Sequence, residues 1–174
     1  MNDTLTGHAW VLVDEHNKLI DSIDTDMIFH NRYLHITEIE QMGRYALDNL
    51  SGWEDFAGRC QPGDIVVAGA NFGCGSSRQQ AVDCFRALGV QALIAVSFGA
   101  IYFRNAVNAG WPVLSCPELD AAAIATGDEV EIDVQAAGWK NLTRGRQLPP
   151  LRPVSDVQRQ IMAAGGLFKL RGRA

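Results

Sequence analysis

The segment Asp64–Arg86, DIVVAGANFGCGSSRQQAVDCFR, constrains the fold of this chain more than any other. Ile65 to Ala68 is a short apolar run, glycines at 69, 73 and 75 supply a tight turn, and Ser76, Ser77 and Arg78 open an amphipathic stretch that stops at Gly89. Strand, glycine turn and helix start, in that order, form the repeating unit of α/β proteins. The first N–H groups of a helix lack internal partners and its dipole favours negative charge, so this junction is suited to holding an anion.

The flanking sequence extends the unit. Ala92 to Val96 is wholly apolar, as expected of a strand covered on both faces in a parallel sheet. Ser97 and Gly99 open a second helix through about Asn108, closed by Gly110, and Trp111 to Cys116 reads as the next strand. Right-handed crossovers then place the helix starts near Ser76 and Ser97 on one sheet edge. Upstream, His8 to Asp14 reads as a strand, and Thr37 with Glu40 as a capping box for a helix to about Leu50. Downstream, Glu118 to Thr126 reads as a short helix, and Glu129 to Val134 alternates like a strand with one wet face. Ala136 to Thr143 pairs with it as a hairpin, and Ser155 with Gln158 caps a last helix that Gly165-Gly166 ends. The basic tip at Lys169, Arg171 and Arg173 reads as a frayed tail. The pattern predicts one α/β domain over residues 1–174.

Composition narrows the functional classes. A net charge of −5 gives no basic footprint for nucleic acid or an anionic membrane surface. No apolar run approaches the ~20 residues of a membrane span, and the start, MNDTLTGHAW, lacks the regions of a signal peptide, so a cytoplasmic location is expected. Cys60, Cys74, Cys84 and Cys116 show no C-x-x-C spacing, so no metal site is expected from this chain alone.

Familiar phosphate and nucleophile motifs fail at the central turn. Cys74 stands where a Walker loop has its second glycine, Arg78 where a dinucleotide fingerprint has its third, and Gln79 where a hydrolase elbow around Ser77 needs one. Two readings remain open. Ser76 with Gln79, or Ser77 with Gln80, has the spacing of a plain capping box. Alternatively, a serine at a helix start beside an arginine can act as a base if N–H donors and positive charge stabilise its alkoxide, with Arg78 binding a carboxylate. Asp24-Thr25-Asp26 is likewise either a capped turn or part of a site.

The run Asn71–Arg78 (NFGCGSSR) is preceded by Asp64–Gly69 (DIVVAG) and followed by Ile94–Phe98 (IAVSF) and Asn105–Gly110 (NAVNAG). With Ile23–Ile28 (IDTDMI) and Arg32-Tyr33-Leu34, these motifs resemble the small subunits of 3-isopropylmalate dehydratases, a family similar to the swivelling domain of aconitase; the likeness spans Gly7 to Gly166. The resemblance implies a three-layer β/β/α swivelling domain with a mainly parallel central sheet. It implies a large partner subunit carrying a 4Fe-4S cluster, and a small di- or tricarboxylate hydroxy acid as substrate. It implies that Ser76 is the base, that Ser77, Arg78 and the Asp24-Thr25-Asp26 motif bind substrate, and that Arg32 and His35 lie in the loop that reads the substrate's variable group.

Three departures from the family pattern stand out. Gln79-Gln80 replace Glu-His, His30 replaces a proline, and His35-Ile36 follow Tyr33-Leu34. His35 can pair with a carboxylate when protonated or donate one hydrogen bond when neutral. The loop changes leave homoaconitate, dimethylmalate and citramalate types open as substrates, and Gln79-Gln80 leaves open a non-catalytic anion-binding paralogue.

Overall fold

The computed structural model describes residues 4–171. The chain runs through β1 (Thr4–Val11), α1 (Thr25–Ile28), α2 (Ile39–Met42), α3 (Phe56–Arg59), β2 (Ile65–Ala68), α4 (Gln80–Ala87), β3 (Ala92–Ala95), α5 (Ala100–Asn108) and β4 (Val113–Ser115). It continues through β5 (Glu129–Asp133), β6 (Gly138–Asn141), β7 (Arg146–Gln147), α6 (Asp156–Ala164) and α7 (Leu167–Arg171), with 3-10 turns at Asn31–Tyr33, Gly43–Tyr45 and Ala121–Ala123.

Seven strands form one sheet in the order β4-β3-β2-β1-β5-β6-β7. The pairs from β1 to β4 are parallel, and those from β1 through β5 and β6 to β7 are antiparallel. Successive strand residues point to opposite faces, which sorts the apolar runs into two cores. Trp10, Val66, Ala68, Leu93 and Ala95 pack with Phe85, Tyr102 and Trp111 on the helical side. Val11, Ile65, Val67, Ala92 and Ile94 pack against Val130, Ile132 and Trp139 on the other. The sheet therefore curls, its antiparallel half covering the face that the helices leave open, and β2 and β3 are buried throughout. Burial on both sides is why these strands read as continuous apolar runs rather than alternating ones. Strand β5 does alternate, with Val130 and Ile132 buried and Glu129 and Asp133 exposed.

Three local expectations are corrected. Thr37 and Glu40 form no capping box: α2 is four residues long, its cap residue is Glu38, and no side chain caps it. The chain leaves α2 through a 3-10 turn at Gly43, where a side chain would press on Leu88 at 3.2 Å. It then reverses at Leu47, whose left-handed φ of 62° costs about 1–2 kcal/mol, offset by complete burial of the side chain and by its N–H bond to the Ile28 carbonyl. Tertiary packing overrides the helical pattern here. The Ala-rich segment after Glu118 holds only a 3-10 turn, and the expected frayed tail is helical as far as Arg171, Arg173 lying outside the described residues. The terminal box is present: the Ser155 hydroxyl accepts from the Gln158 N–H and the Gln158 side chain from the Ser155 N–H, with Gly165 ending α6 at φ 75°. No helix among the described residues is long and apolar enough to cross a membrane.

Candidate active site

The turn after β2 is held from two directions. Phe72 N–H donates to the Ser97 carbonyl (3.0 Å), Gly99 N–H donates to the Phe72 carbonyl (2.8 Å), and Asn71 N–H donates to the Ser97 hydroxyl (2.8 Å). These bonds tie the start of α4 to the start of α5, as the crossover argument expects. Gly73 is the tightest point: at φ +75° its missing Cβ would sit 2.2 Å from the Tyr102 Cγ. Only glycine fits the backbone there against the buried ring.

The second anchor is the Asp24-Thr25-Asp26 motif, which joins the turn edge to edge. Gly73 N–H donates to the Ile23 carbonyl (2.7 Å) and Thr25 N–H to the Cys74 carbonyl (2.9 Å). The Asp24 carboxylate caps α1, accepting from the Asp26 and Met27 N–H groups at 2.9 and 2.8 Å, and Thr25 is buried beneath Gly75. Asp24 thus follows the bland capping reading, whereas Asp26 does more. Its Oδ1 accepts from the Arg78 guanidinium at 2.8 Å and from the Asn31 N–H at 2.9 Å. Arg78 also donates to the Phe29 carbonyl (3.1 Å), and Asn49 donates to the Asp26 carbonyl (3.1 Å). The two motifs, far apart in sequence, are therefore one cluster.

The hydrogen bond from Arg78 holds the Asp26 carboxyl below the usual carboxylate range. A depressed folded pKa contributes stability above the unfolded value, about pH 4, and that contribution is lost as pH falls through the folded value. Wild-type and Asp26→Asn chains should therefore differ most in denaturation midpoint near neutral pH and converge as the pH falls below the ordinary carboxylate range. A gap independent of pH would remove the ion pair from the account.

Neither serine caps the helix. Helix α4 begins at Gln80 with Gln79 as its cap residue and no side-chain capping bond, so both serine–glutamine boxes are absent. Ser76 and Ser77 are exposed, and Ser77 Oγ accepts a hydrogen bond from Asn105 on α5 (3.4 Å). Among the described residues, the backbone N–H groups from Gly75 to Gln79 find no acceptor. Exposed hydroxyls beside free N–H groups, the N-terminus of α4 and an arginine make a site able to bind and stabilise negative charge. Gln79 has its own local reason: its amide donates to the buried Asp83 carboxylate at 3.2 Å, where a glutamate would set two carboxylates together.

Arg32 and His35 lie on the exposed loop that leaves this cluster. Arg32 stacks over the Tyr33 ring at 5.1 Å, and the Tyr33 hydroxyl donates to Asp48 at 2.6 Å, a bond that pushes the Tyr33 pKa up. The His35 Nδ1 lies 2.9 Å from the Arg32 carbonyl. A carbonyl only accepts, so the tautomer that makes this bond carries its N–H on Nδ1, inside the loop. The His30 backbone, at φ −60° and ψ 143°, has the φ that proline fixes, so the backbone here accommodates either residue. Asn49, Asp48 and the Phe29 carbonyl were not legible as site residues, because each is recruited by a long-range contact with no local motif.

Among the described residues no three His, Cys, Asp or Glu side chains converge as a metal-ligand set. Cys60, Cys84 and Cys116 are buried, and desolvation pushes the thiols of Cys60 and Cys116 up to about 12 and 11. The described residues therefore offer no ligand set that a cluster would fit.

Residues 15–118 match the Aconitase C-terminal domain family. The chain is 42% identical over 172 residues to the 3-isopropylmalate dehydratase small subunit 1 of Archaeoglobus fulgidus, covering 97% of this chain and 99% of that protein. It is 45% identical over 148 residues to the 3-isopropylmalate dehydratase small subunit of Moorella thermoacetica, covering 85% and 87%. A crystal structure of a 3-isopropylmalate dehydratase from Methanocaldococcus jannaschii superposes with a TM-score of 0.85 at 32% identity, covering 98% of this chain and 94% of that one. With its two sequence motifs joined in space on a matching fold, this chain belongs to the aconitase C-terminal domain family, among its 3-isopropylmalate dehydratase small subunits.

Proposed function

We propose that this chain is the small subunit of a cytoplasmic two-subunit hydro-lyase that interconverts 2- and 3-isopropylmalate by dehydration and rehydration, the step used in leucine biosynthesis. The observation that carries the proposal is the Asp26–Arg78 ion pair, which joins the two motifs and leaves the Ser76 hydroxyl exposed and uncapped beside them. The large subunit carries the 4Fe-4S cluster, which supplies Lewis-acid help to the departing hydroxyl.

The work of this chain is on the proton. Ser76 Oγ, as the alkoxide, takes the proton from the carbon adjacent to a substrate carboxylate; the C–H electron pair becomes the second bond of the alkene as hydroxide leaves the neighbouring carbon. Rehydration reverses these steps, with proton and hydroxyl returned to exchanged carbons. Free N–H groups of the turn and the nearby Arg78 charge favour the alkoxide and the negative charge that builds on the substrate. Ser77 and Arg78 hold the substrate carboxylates, the Asp24–Asp26 segment supports them by seating Arg78 on the Asp26 carboxylate, and the Arg32 loop faces the group that distinguishes one malate derivative from another.

Reconstitution tests this reading. The chain alone should turn over no substrate, and addition of an iron-sulfur large subunit should yield 2-isopropylmalate isomerisation, followed by alkene absorbance. Turnover by the chain alone would overturn the two-subunit reading. Greater activity on homoaconitate, dimethylmalate or citramalate than on isopropylmalate would move the substrate and keep the chemistry.

A further inference from the structure

We propose that His30 and His35 are positioning residues that act through the backbone of Arg32, and that His35 does not itself contact substrate. The inference rests on the reading above that the Arg32 loop faces substrate. Both imidazoles close on one residue: the Arg32 N–H donates to His30 Nδ1 at 3.1 Å, and His35 Nδ1 lies 2.9 Å from the Arg32 carbonyl.

The chemistry of the two partners fixes opposite tautomers. An amide N–H only donates, so His30 Nδ1 is bare and the neutral ring carries its proton on Nε2. A carbonyl only accepts, so His35 carries its proton on Nδ1 and leaves Nε2 as a lone pair. The N–H and C=O of Arg32 are thus both held by side chains of its own loop, in a 3-10 turn that His30 caps. The Arg32 side chain is held as well, over Tyr33 at 5.1 Å; that ring stacks on Tyr45 with centroids 4.0 Å apart and is pinned by its hydroxyl to Asp48. The arrangement has the form expected of a group whose direction matters, because an ordered side chain loses less entropy on binding.

Two measurements test the proposal. In long-range 1H–15N spectra of the full-length chain at about pH 8, where imidazoles are neutral, His35 should show the Nδ1–H tautomer and His30 the Nε2–H tautomer. The opposite tautomer at either ring would overturn the assignment. In the enzyme assembled with its large subunit, His30→Ala and His35→Ala should each raise KM about tenfold with kcat within about twofold, the size expected for one lost positioning bond. Asparagine offers an amide oxygen or N–H near the place of Nδ1, so His30→Asn and His35→Asn should restore KM. In an Arg32→Ala background the alanine changes should add nothing. Failure of asparagine rescue, or a further loss in that background, would make the histidines direct substrate contacts and sink the proposal. If the assembled wild type turns over no hydroxy acid, the functional reading fails, while the tautomers still decide the clamp.

Discussion

Replacing Ser76 by alanine is expected to lower kcat of the assembled enzyme about 10³-fold, with KM and subunit association within about twofold of wild type. The magnitude follows from what the substitution removes. Ser76 makes no capping bond to α4 and is exposed, so its hydroxyl is not holding the fold together. Alanine takes away one oxygen, leaving the free N–H groups, Arg78 and the turn geometry in place. A loss in kcat alone is the signature of an interaction made in the transition state, whereas a capping serine would lower the melting temperature and spare turnover. Wild-type kcat in the alanine variant would remove Ser76 from the chemistry.

Gly73→Ala is expected to be the most damaging small substitution in the turn, destabilising the chain by roughly 2–5 kcal/mol. About 1–2 of this comes from a non-glycine residue at φ +75°, and about 1–3 from overpacking against Tyr102 at 2.2 Å. Tyr102 is 2% exposed and its hydroxyl donates to the Ala81 carbonyl (3.2 Å), so the ring has nowhere to retreat. Gly75 makes the control. Its φ of +92° carries the same backbone strain, but the nearest atoms to an added Cβ are at 3.5 and 3.6 Å, so Gly75→Ala should lose only the first contribution. Equal losses in denaturant melts of the two variants would refute the steric account.

The βαβαβ centre was legible because both faces of β2 and β3 are buried, and a strand buried on both sides leaves an uninterrupted apolar run in the sequence. The Ser155 box was legible because all its partners lie within one turn. Thr37–Glu40 has the same local spacing, yet the chain there is shaped by α4 packing on Gly43 and by the reversal at Leu47, neither of which leaves a local pattern. The site divides in the same way. Ser76, Arg78 and Asp26 were named from their motifs, but spacing left serine capping open, and only the late start of α4 at Gln80 separates the hydroxyls from that role. Asn49 and the Asp48–Tyr33 bond belong to tertiary contacts that no window of sequence displays.

The double use of Asp26 Oδ1, which takes both the Arg78 guanidinium and the Asn31 amide, sets a rule for exchanging selectivity between relatives. A graft of residues 30–36 is a portable cassette only if it keeps an N–H at position 31. Proline is compatible with the backbone at 30 and excluded at 31, where it would leave the carboxylate oxygen short of one donor and loosen the grip on Arg78. A single peptide group thus links the loop to Arg78, and under the proposed function diversification should spare that group while varying the side chains around it.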